Sequence, residues 1–325
     1  VVLVLVALLT ALVVELVHLA GGQRVAAERT LEDLQLSYAL RSGYYRALLY
    51  LQADAETAAD VDTLREPWAQ PIRFRAGEAD VLVQIEDAER FINVSKLIRP
   101  NGDRCARVAN ILTNLGISIG QDTTVPERLA DYMDADGTGP FESGAKNALL
   151  FHPEEVLRIP DVPPAVWLGS SETQGAARGY LEFITIWPRV AAQQCPPPGQ
   201  TGPSDMKVNL NTAGAEVLSA LFDPPNPSYA QALVSWRQGT APDGTPNAFR
   251  SIADVGAALN DPQAASALQD VAVFRSRYFI VKVKTRVRGV EEGHVFVVER
   301  ASGNRFVLQT HYRMPEFLYA QAPES

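Results

Sequence analysis

The chain opens on VVLVLVALLTALVVELVHLA, residues 1–20, and the reading of this stretch decides the class of molecule. Its first fourteen residues carry no charge, and Glu15 is the only ionised side chain before Arg24. A helix of about 20 apolar residues matches the ~30 Å hydrocarbon layer of a bilayer. A core helix at the surface of a soluble domain shows an apolar stripe, whereas this one is apolar all round. A cleavable signal peptide carries a basic region ahead of its apolar run. Here the run stands first, so the expectation is a retained anchor over residues 1–22 whose leader has been removed or lies outside these residues.

Outward from the anchor, residues 24–56 read RVAAERTLEDLQLSYALRSGYYRALLYLQADAE, and no proline occurs before Pro67. Leu31, Leu34, Tyr38, Leu48 and Leu51 recur at helical spacing with charges between them. Gly21, Gly22 and Gly43 each weaken a helix by about 1 kcal/mol relative to alanine. The segment still reads as one helix of about 80 Å at 1.5 Å per residue, lipid-soluble in its first part and amphipathic beyond. Tyr38, Tyr44 and Tyr45 form an aromatic stripe expected to face either partners or the chain's own sheet.

Strand signals stand at both ends of the remaining chain. Residues 71–76 (PIRFRA) and 80–86 (DVLVQIE) flank a Gly77-Glu78 turn and read as a hairpin. Residues 278–288 (YFIVKVKTRVR) alternate apolar and basic side chains, the period of a half-exposed strand. Residues 294–300 and 305–312 continue an antiparallel meander, with Gly289, Gly293 and Gly303 in the gaps. The middle, 97–190 and 207–270, is helix-forming, and AAQQCPPPGQTGPSDM (191–206) is a loop. The expected fold is α+β: a long N-terminal helix on an antiparallel sheet, interrupted by a large all-α insert. The expected boundaries are 23–96 for the helix and first strands, 97–206 and 207–272 for two helical units, and 273–325 for the closing strands. FINVSKL (91–97) and KVNLNTA (207–213) share an apolar–Asn–apolar core and read as a diverged repeat. Each opens a helical segment with natural N-cap residues.

The chemistry is sparse. No HExxH, GxSxG, P-loop or GxGxxG pattern occurs, and His18, His152, His294 and His311 lie far apart in sequence. No enzyme is expected. The formal net charge of -9 disfavours nucleic acid. Cys105 and Cys195 form a disulfide in an oxidising compartment or remain two thiols in a reducing one. Residues 127–145 (ERLADYMDADGTGPFESGA) gather Asp131, Asp134, Asp136 and Glu142 around a glycine-bearing turn. Hard oxygen donors on such a loop suit Ca²⁺, and a solvated acidic loop has the same composition. KVNLNTAGAEVLSAL, ALVSWRQ and NAFRSIADV resemble helix-hairpin-helix modules of the competence type. The turn FDPPNPSY, however, has prolines where a phosphate site needs N–H groups, and residues 207–260 carry more acidic than basic side chains.

Taken in order, the apolar start, RSGYYRALLYL, the Ile92-Asn93-Val94 entry, Tyr132 to Gly137, HPEEVLRI and Val208 to Ala213 resemble the K-type minor pseudopilin family of type II secretion systems. The resemblance implies a pilin-like fold whose all-α insert holds two helix-hairpin-helix or SAM-like units. It implies a tip subunit of a periplasmic pseudopilus, anchored in the bacterial inner membrane, with the I and J minor pseudopilins and the H one as partners. It favours Ca²⁺ at the acidic loop. Most pilins carry a glutamate at the fifth mature position, where Leu5 stands here, and the family typically lacks it, which fits a terminal subunit. The rival expectations are a membrane-anchored DNA receptor of the competence type and a minor pilin of a type IV pilus.

Overall fold

A computed structural model of the chain describes residues 1–57, 60–170, 178–196, 202–241 and 243–314. In chain order the elements begin with α1 (Val2–Thr57), β1 (Ile72–Ala76), β2 (Ala79–Asp87), β3 (Ile92–Asn93), α2 (Ala106–Ile119), α3 (Val125–Met133), α4 (Pro164–Leu168) and β4 (Ile184–Thr185). They continue with β5 (Val208–Asn209), α5 (Ala215–Ala220), α6 (Pro227–Gln238), α7 (Ile252–Leu259), α8 (Pro262–Ser266), β6 (Ala272–Val273), β7 (Tyr278–Val287), β8 (Val290–Arg300) and β9 (Phe306–Arg313).

The five long strands form one antiparallel sheet in the order β1-β2-β7-β8-β9. The hairpin and the meander expected from the sequence thus join edge to edge, with Val83 opposite Val283. Alternation decides which face is which. Phe279, Val281, Val283 and Val287 point one way into a core with α1. Ile280, Val297 and Tyr312 point the other way and pack on the insert.

The buried stripe of α1 is Leu36, Leu40, Gly43, Ala47 and Leu51, spaced by three or four residues. It differs from the stripe expected from the large side chains. Leu51 is buried and Leu48 half-buried, but Leu31, Leu34 and Tyr38 remain exposed. The reason is size. Gly43 and Ala47 bring the helix backbone close to the sheet, which a stripe of leucines would hold off. A Cβ on Gly43 would lie 2.5 Å from Val283 Cγ1 and 3.2 Å from Val81 and Val83 methyls. Tyr44 stacks on Phe296 at 4.6 Å, so of the three tyrosines it faces the chain's own sheet.

The insert is not all-α, which corrects the sequence expectation. β3 pairs parallel with β4, Ile92 opposite Ile184, and β5 pairs parallel with β6, Val208 opposite Ala272. Two-residue strands leave no alternation to read, so pattern alone missed them. The expected repeat has a structural counterpart in these pairs. Asn93 Oδ1 accepts from Ser95 N at 2.9 Å, and Asn209 Oδ1 accepts from Asn211 N at 2.9 Å. Each asparagine turns the chain out of a short strand toward its helices. Ile92, Leu115, Leu129, Val208, Leu218 and Leu233 share one core, so both helical units pack together.

Cys105 and Cys195 are joined by a disulfide with a Cα–Cα distance of 5.8 Å across 90 residues of sequence. Closing a loop of that length removes about 4–5 kcal/mol of unfolded-state entropy in the chain-entropy account.

Gly43→Val is expected to lower stability by about 2–3 kcal/mol, the range for overpacking. Gly22→Ala, where nothing lies within 4 Å of the added Cβ, should leave it unchanged. Thermal unfolding of both variants checks this, and equal melting temperatures would contradict the packing described.

Candidate metal centre

The acidic loop is built on the end of α3. Asp131 lies on the last turn of that helix, and Asp134 is its C-cap residue, with its N–H on Ala130 O at 2.9 Å. The chain then runs out and returns. Tyr132 O accepts from Lys146 N at 3.2 Å and from Asn147 N at 3.0 Å, which clamps the two ends of the excursion together. Gly137 and Gly144 turn it at φ of 65° and 82°, a region L side chains avoid. Gly139 packs directly on the Asp131 carboxylate, where a Cβ would lie within 2.9 Å of its carbon and oxygens. Asp131 Oδ2 accepts from Phe141 N at 2.9 Å, which brings Glu142 beside it.

Asp131, Asp134 and Glu142 each offer a carboxylate oxygen, and the three oxygens lie within 4.8 Å of one another. Oxygens bound to one Ca²⁺ at 2.3–2.6 Å fall within about that span. Asp136, the fourth candidate, does not join them: its Oδ1 accepts from Thr138 N at 2.7 Å and Thr138 Oγ1 at 2.8 Å. The i, i+2 spacing that suggested a ligand pair instead builds an Asx turn.

Asp134 is 7% exposed, yet its Oδ1 has no hydrogen-bond partner, and neither has either Glu142 carboxylate oxygen. Among the described residues none of the four carboxylates forms an ion pair with Lys, Arg or His. Arg128 lies over the Phe141 ring at 4.0 Å, and Lys146 pairs with Glu155 at 2.8 Å. Burial and the neighbouring carboxylates of Asp136, Glu142 and Asp131 push the Asp134 carboxyl up to about 6. Burial, Asp131 and Asp136 also raise the Glu142 carboxyl. Crowded anions with orphaned oxygens are unfavourable as they stand, and a hard divalent cation relieves both conditions. Asp131, Asp134 and Glu142 would hold it.

His294 and His311 meet, with rings stacked at 5.4 Å across β8 and β9, which their sequence separation hid. The cross-strand register reveals it: Phe296 lies opposite His311, and His294 is the next residue on the same face. Glu292 Oε1 binds His294 Nε2 at 3.1 Å.

The spine, sheet and insert define a pilin-like α+β protein, and three comparisons place the resemblance further. Residues 208–275 match the family model described as type II secretion system (T2SS), protein K. The type II secretion system protein K of Pseudomonas aeruginosa is 28% identical over 224 residues, which is 67% of this chain and 58% of that protein. A putative type II secretion system protein K of Escherichia coli is 26% identical over 156 residues, 46% of this chain and 47% of that protein. The chain thus aligns with about half the length of these curated relatives. A chain from the crystal structure of the GspK-GspI-GspJ complex of the enterotoxigenic Escherichia coli type 2 secretion system superposes with a TM-score of 0.63. It is 19% identical, and the match covers 89% of this chain and 99% of that one.

Ca²⁺ is expected to raise the melting temperature of the wild-type protein, and Asp134→Asn to abolish that rise. Asp136→Ala should reduce it only partly, because Asp136 shapes the loop without joining the three oxygens. Protonation of Asp134 competes with the ion, so the calcium effect should fade as pH drops through about 6. A calcium-dependent rise that survives Asp134→Asn would move the site elsewhere.

Proposed function

We propose that this chain is a minor pseudopilin at the tip of a type II secretion pseudopilus, a structural subunit that works without catalysis. The observation that carries the proposal is on α1. Leu31, Leu34, Tyr38, Tyr45 and Leu49 are 49%, 51%, 66%, 56% and 66% exposed. They follow helical spacing on the side turned away from the sheet. This stripe continues the apolar surface of residues 1–20 along the part of the helix that also carries the globular body. An isolated domain exposes such a stripe at a hydrophobic penalty, about 25 cal/mol for each Å² of apolar surface left in water. Neighbouring spines in a helical bundle remove it. By analogy with the complex of the structural neighbour, the neighbours are the I and J minor pseudopilins, with the H one as a further partner.

The apolar start of α1 serves as a single-pass inner-membrane anchor and sets the globular body in the periplasm. That compartment suits the Cys105–Cys195 bond. We assign Ca²⁺ to Asp131, Asp134 and Glu142, where it fastens the irregular loop to α3. The α2 and α5–α6 regions we read as two diverged helix-hairpin-helix units kept for packing.

The rival DNA-receptor reading fares poorly at the second unit. Between α5 and α6, Phe222 N and Asn226 N both donate to Ser219 O, and Asn226 Oδ1 caps Tyr229 N. Pro224, Pro225 and Pro227 have no N–H to offer. Phosphate contacts need free amides or basic side chains there.

Full-length wild-type protein in a non-ionic detergent is expected to co-purify with its cognate I and J minor pseudopilins. Leu34→Glu and Tyr45→Glu, at exposed positions that leave the fold intact, should each weaken recovery of the complex about tenfold or more. Undiminished recovery by both variants would overturn the assigned assembly face, and salt-sensitive binding of duplex DNA would revive the receptor reading.

A further inference from the structure

The five-stranded sheet ends at β1 on one side and at β9 on the other. An edge strand presents a row of unpaired backbone N–H and C=O groups, and proteins blunt such edges with short strands, charges or bulges. β1 is short and charged: it has five residues, among them Arg73 and Arg75. β9 has eight, and FVLQTHY, residues 306–312, contains no Asp, Glu, Lys or Arg. On it Val307 and Leu308 are 47% and 43% exposed.

The backbone directions along β9 follow from its two ends. Ala301 N donates to Arg305 O at 2.7 Å, and Met314 N donates to Gly293 O at 2.8 Å. Arg305 and Met314 therefore turn their backbone groups toward β8, and successive residues of a strand alternate in this respect. The register steps from Leu308 opposite Val298 to Thr310 opposite Val297, so Gln309 is the extra residue of a bulge. Counted from both ends, Val307, Thr310 and Tyr312 face β8. Phe306, Leu308, His311 and Arg313 present their backbone groups to the open side, two on each side of the bulge. Among the described residues no strand pairs there.

Charge says what the occupant carries. Residues 301–314 hold Arg305 and Arg313 and no acidic side chain, although the chain as a whole has a net charge of -9. Both arginines are exposed, one near each end of the strand, about 25 Å apart at ~3.3 Å per residue. Glu299, opposite Val307 on β8, is engaged by Arg277 and Gln309. A second copy pairing antiparallel through its own β9 would bring arginines together at both ends, so like charges oppose self-association. We propose that β9 is a docking edge for an extended, acidic segment of a partner protein, which adds a further strand to the sheet. Main-chain hydrogen bonds to Phe306, Leu308, His311 and Arg313 supply affinity, and carboxylates beside Arg305 and Arg313 supply selectivity. Uncharged residues between the carboxylates cover Val307 and Leu308. This edge is separate from the exposed stripe of α1, so it is tested apart from the assembly face given above.

The probes are two blocked eight-residue peptides, ETVTVTVE and KTVTVTVK, added to the full chain in dodecyl maltoside micelles. Amide hydrogen exchange is read residue by residue by mass spectrometry. The acidic peptide is expected to slow exchange at Phe306, Leu308, His311 and Arg313 about tenfold or more, saturably and with a midpoint below about 1 mM. Val307 and Tyr312, already in the ladder with β8, should not change, and the basic peptide should have no effect. Arg305→Glu combined with Arg313→Glu should reverse the preference, so that only the basic peptide protects. Leu308→Pro removes an N–H from the open side while sparing the β8 ladder and should abolish the protection; if that variant does not fold, the charge reversal decides. No slowing at about 5 mM acidic peptide would overturn the proposal. Equal slowing by both peptides would overturn the acidic assignment. Outward amides that exchange as slowly as Val307 without any peptide would also overturn it, giving the edge to residues 315–325 of the chain or to a second copy.

Discussion

Arg300 is buried where the segment after α1, the sheet and the insert meet, and much of the molecule's geometry hangs on how that charge is held. Its Nη1 and Nη2 reach Asp62 at 2.9 and 2.7 Å, its Nη1 reaches Ser276 O at 3.1 Å, and Asp54 lies at 3.5 Å. Asp62 O accepts from Asn209 Nδ2, which also reaches Asp87 and Ser276. A single hydrogen-bonded set therefore touches α1, β2, β5, the lead into β7 and the end of β8. The carboxyls outnumber the guanidinium. Burial, with Glu66 and Asp62 nearby, pushes Asp54 up to about 7, and burial pushes Asp87 up to about 6. Both folded values lie above those of the unfolded chain, so folding takes up protons near neutrality and the junction carries less charge than its composition suggests. Removing one partner from such a set leaves a buried charge uncompensated, typically at about 3–5 kcal/mol.

This junction links the chain's two cores through hydrogen bonds. The smaller core joins α1 to the sheet, and the larger fills the insert. The sheet takes part in both, because alternate residues of β7 and β8 point to opposite sides. The insert enters and leaves the sheet at β2 and β7, which are hydrogen-bonded neighbours. An excursion from Asp87 to Tyr278 between adjacent strands needs a fixed base, and the Asp62–Arg300–Asn209–Asp87 set provides one.

The long elements were legible in the sequence because their patterns are long. The apolar run, the helical spacing of apolar residues along α1 and the alternation in residues 278–288 each repeat often enough to outweigh chance. The Asn93 and Asn209 turns were legible as a weak repeat, since each asparagine carries out the same local hydrogen bonding. What escaped was set by small residues and by distance along the chain. The α1 stripe that meets the sheet depends on Gly43 and Ala47, which carry little hydrophobic signal. The parallel pairs of β3 with β4 and β5 with β6 are too short to show a period. At the acidic loop the residue types marked four carboxylates, and the fold gathers Asp131, Asp134 and Glu142 while Asp136 turns onto Thr138, a division that spacing does not reveal. Nothing local in the sequence marks Arg300 as the partner of Asp62, 238 positions away.

The central claim is that the buried Arg300 set makes spine, sheet and insert one cooperative unit. Calorimetry of the full chain with its disulfide intact, for wild type and for Arg300→Met, tests it most directly. The account predicts a single unfolding transition of the globular body in the wild type. In the variant, the sheet and the insert should melt separately, the first of them at a lower temperature. A variant that melts in one transition at the wild-type temperature would contradict it.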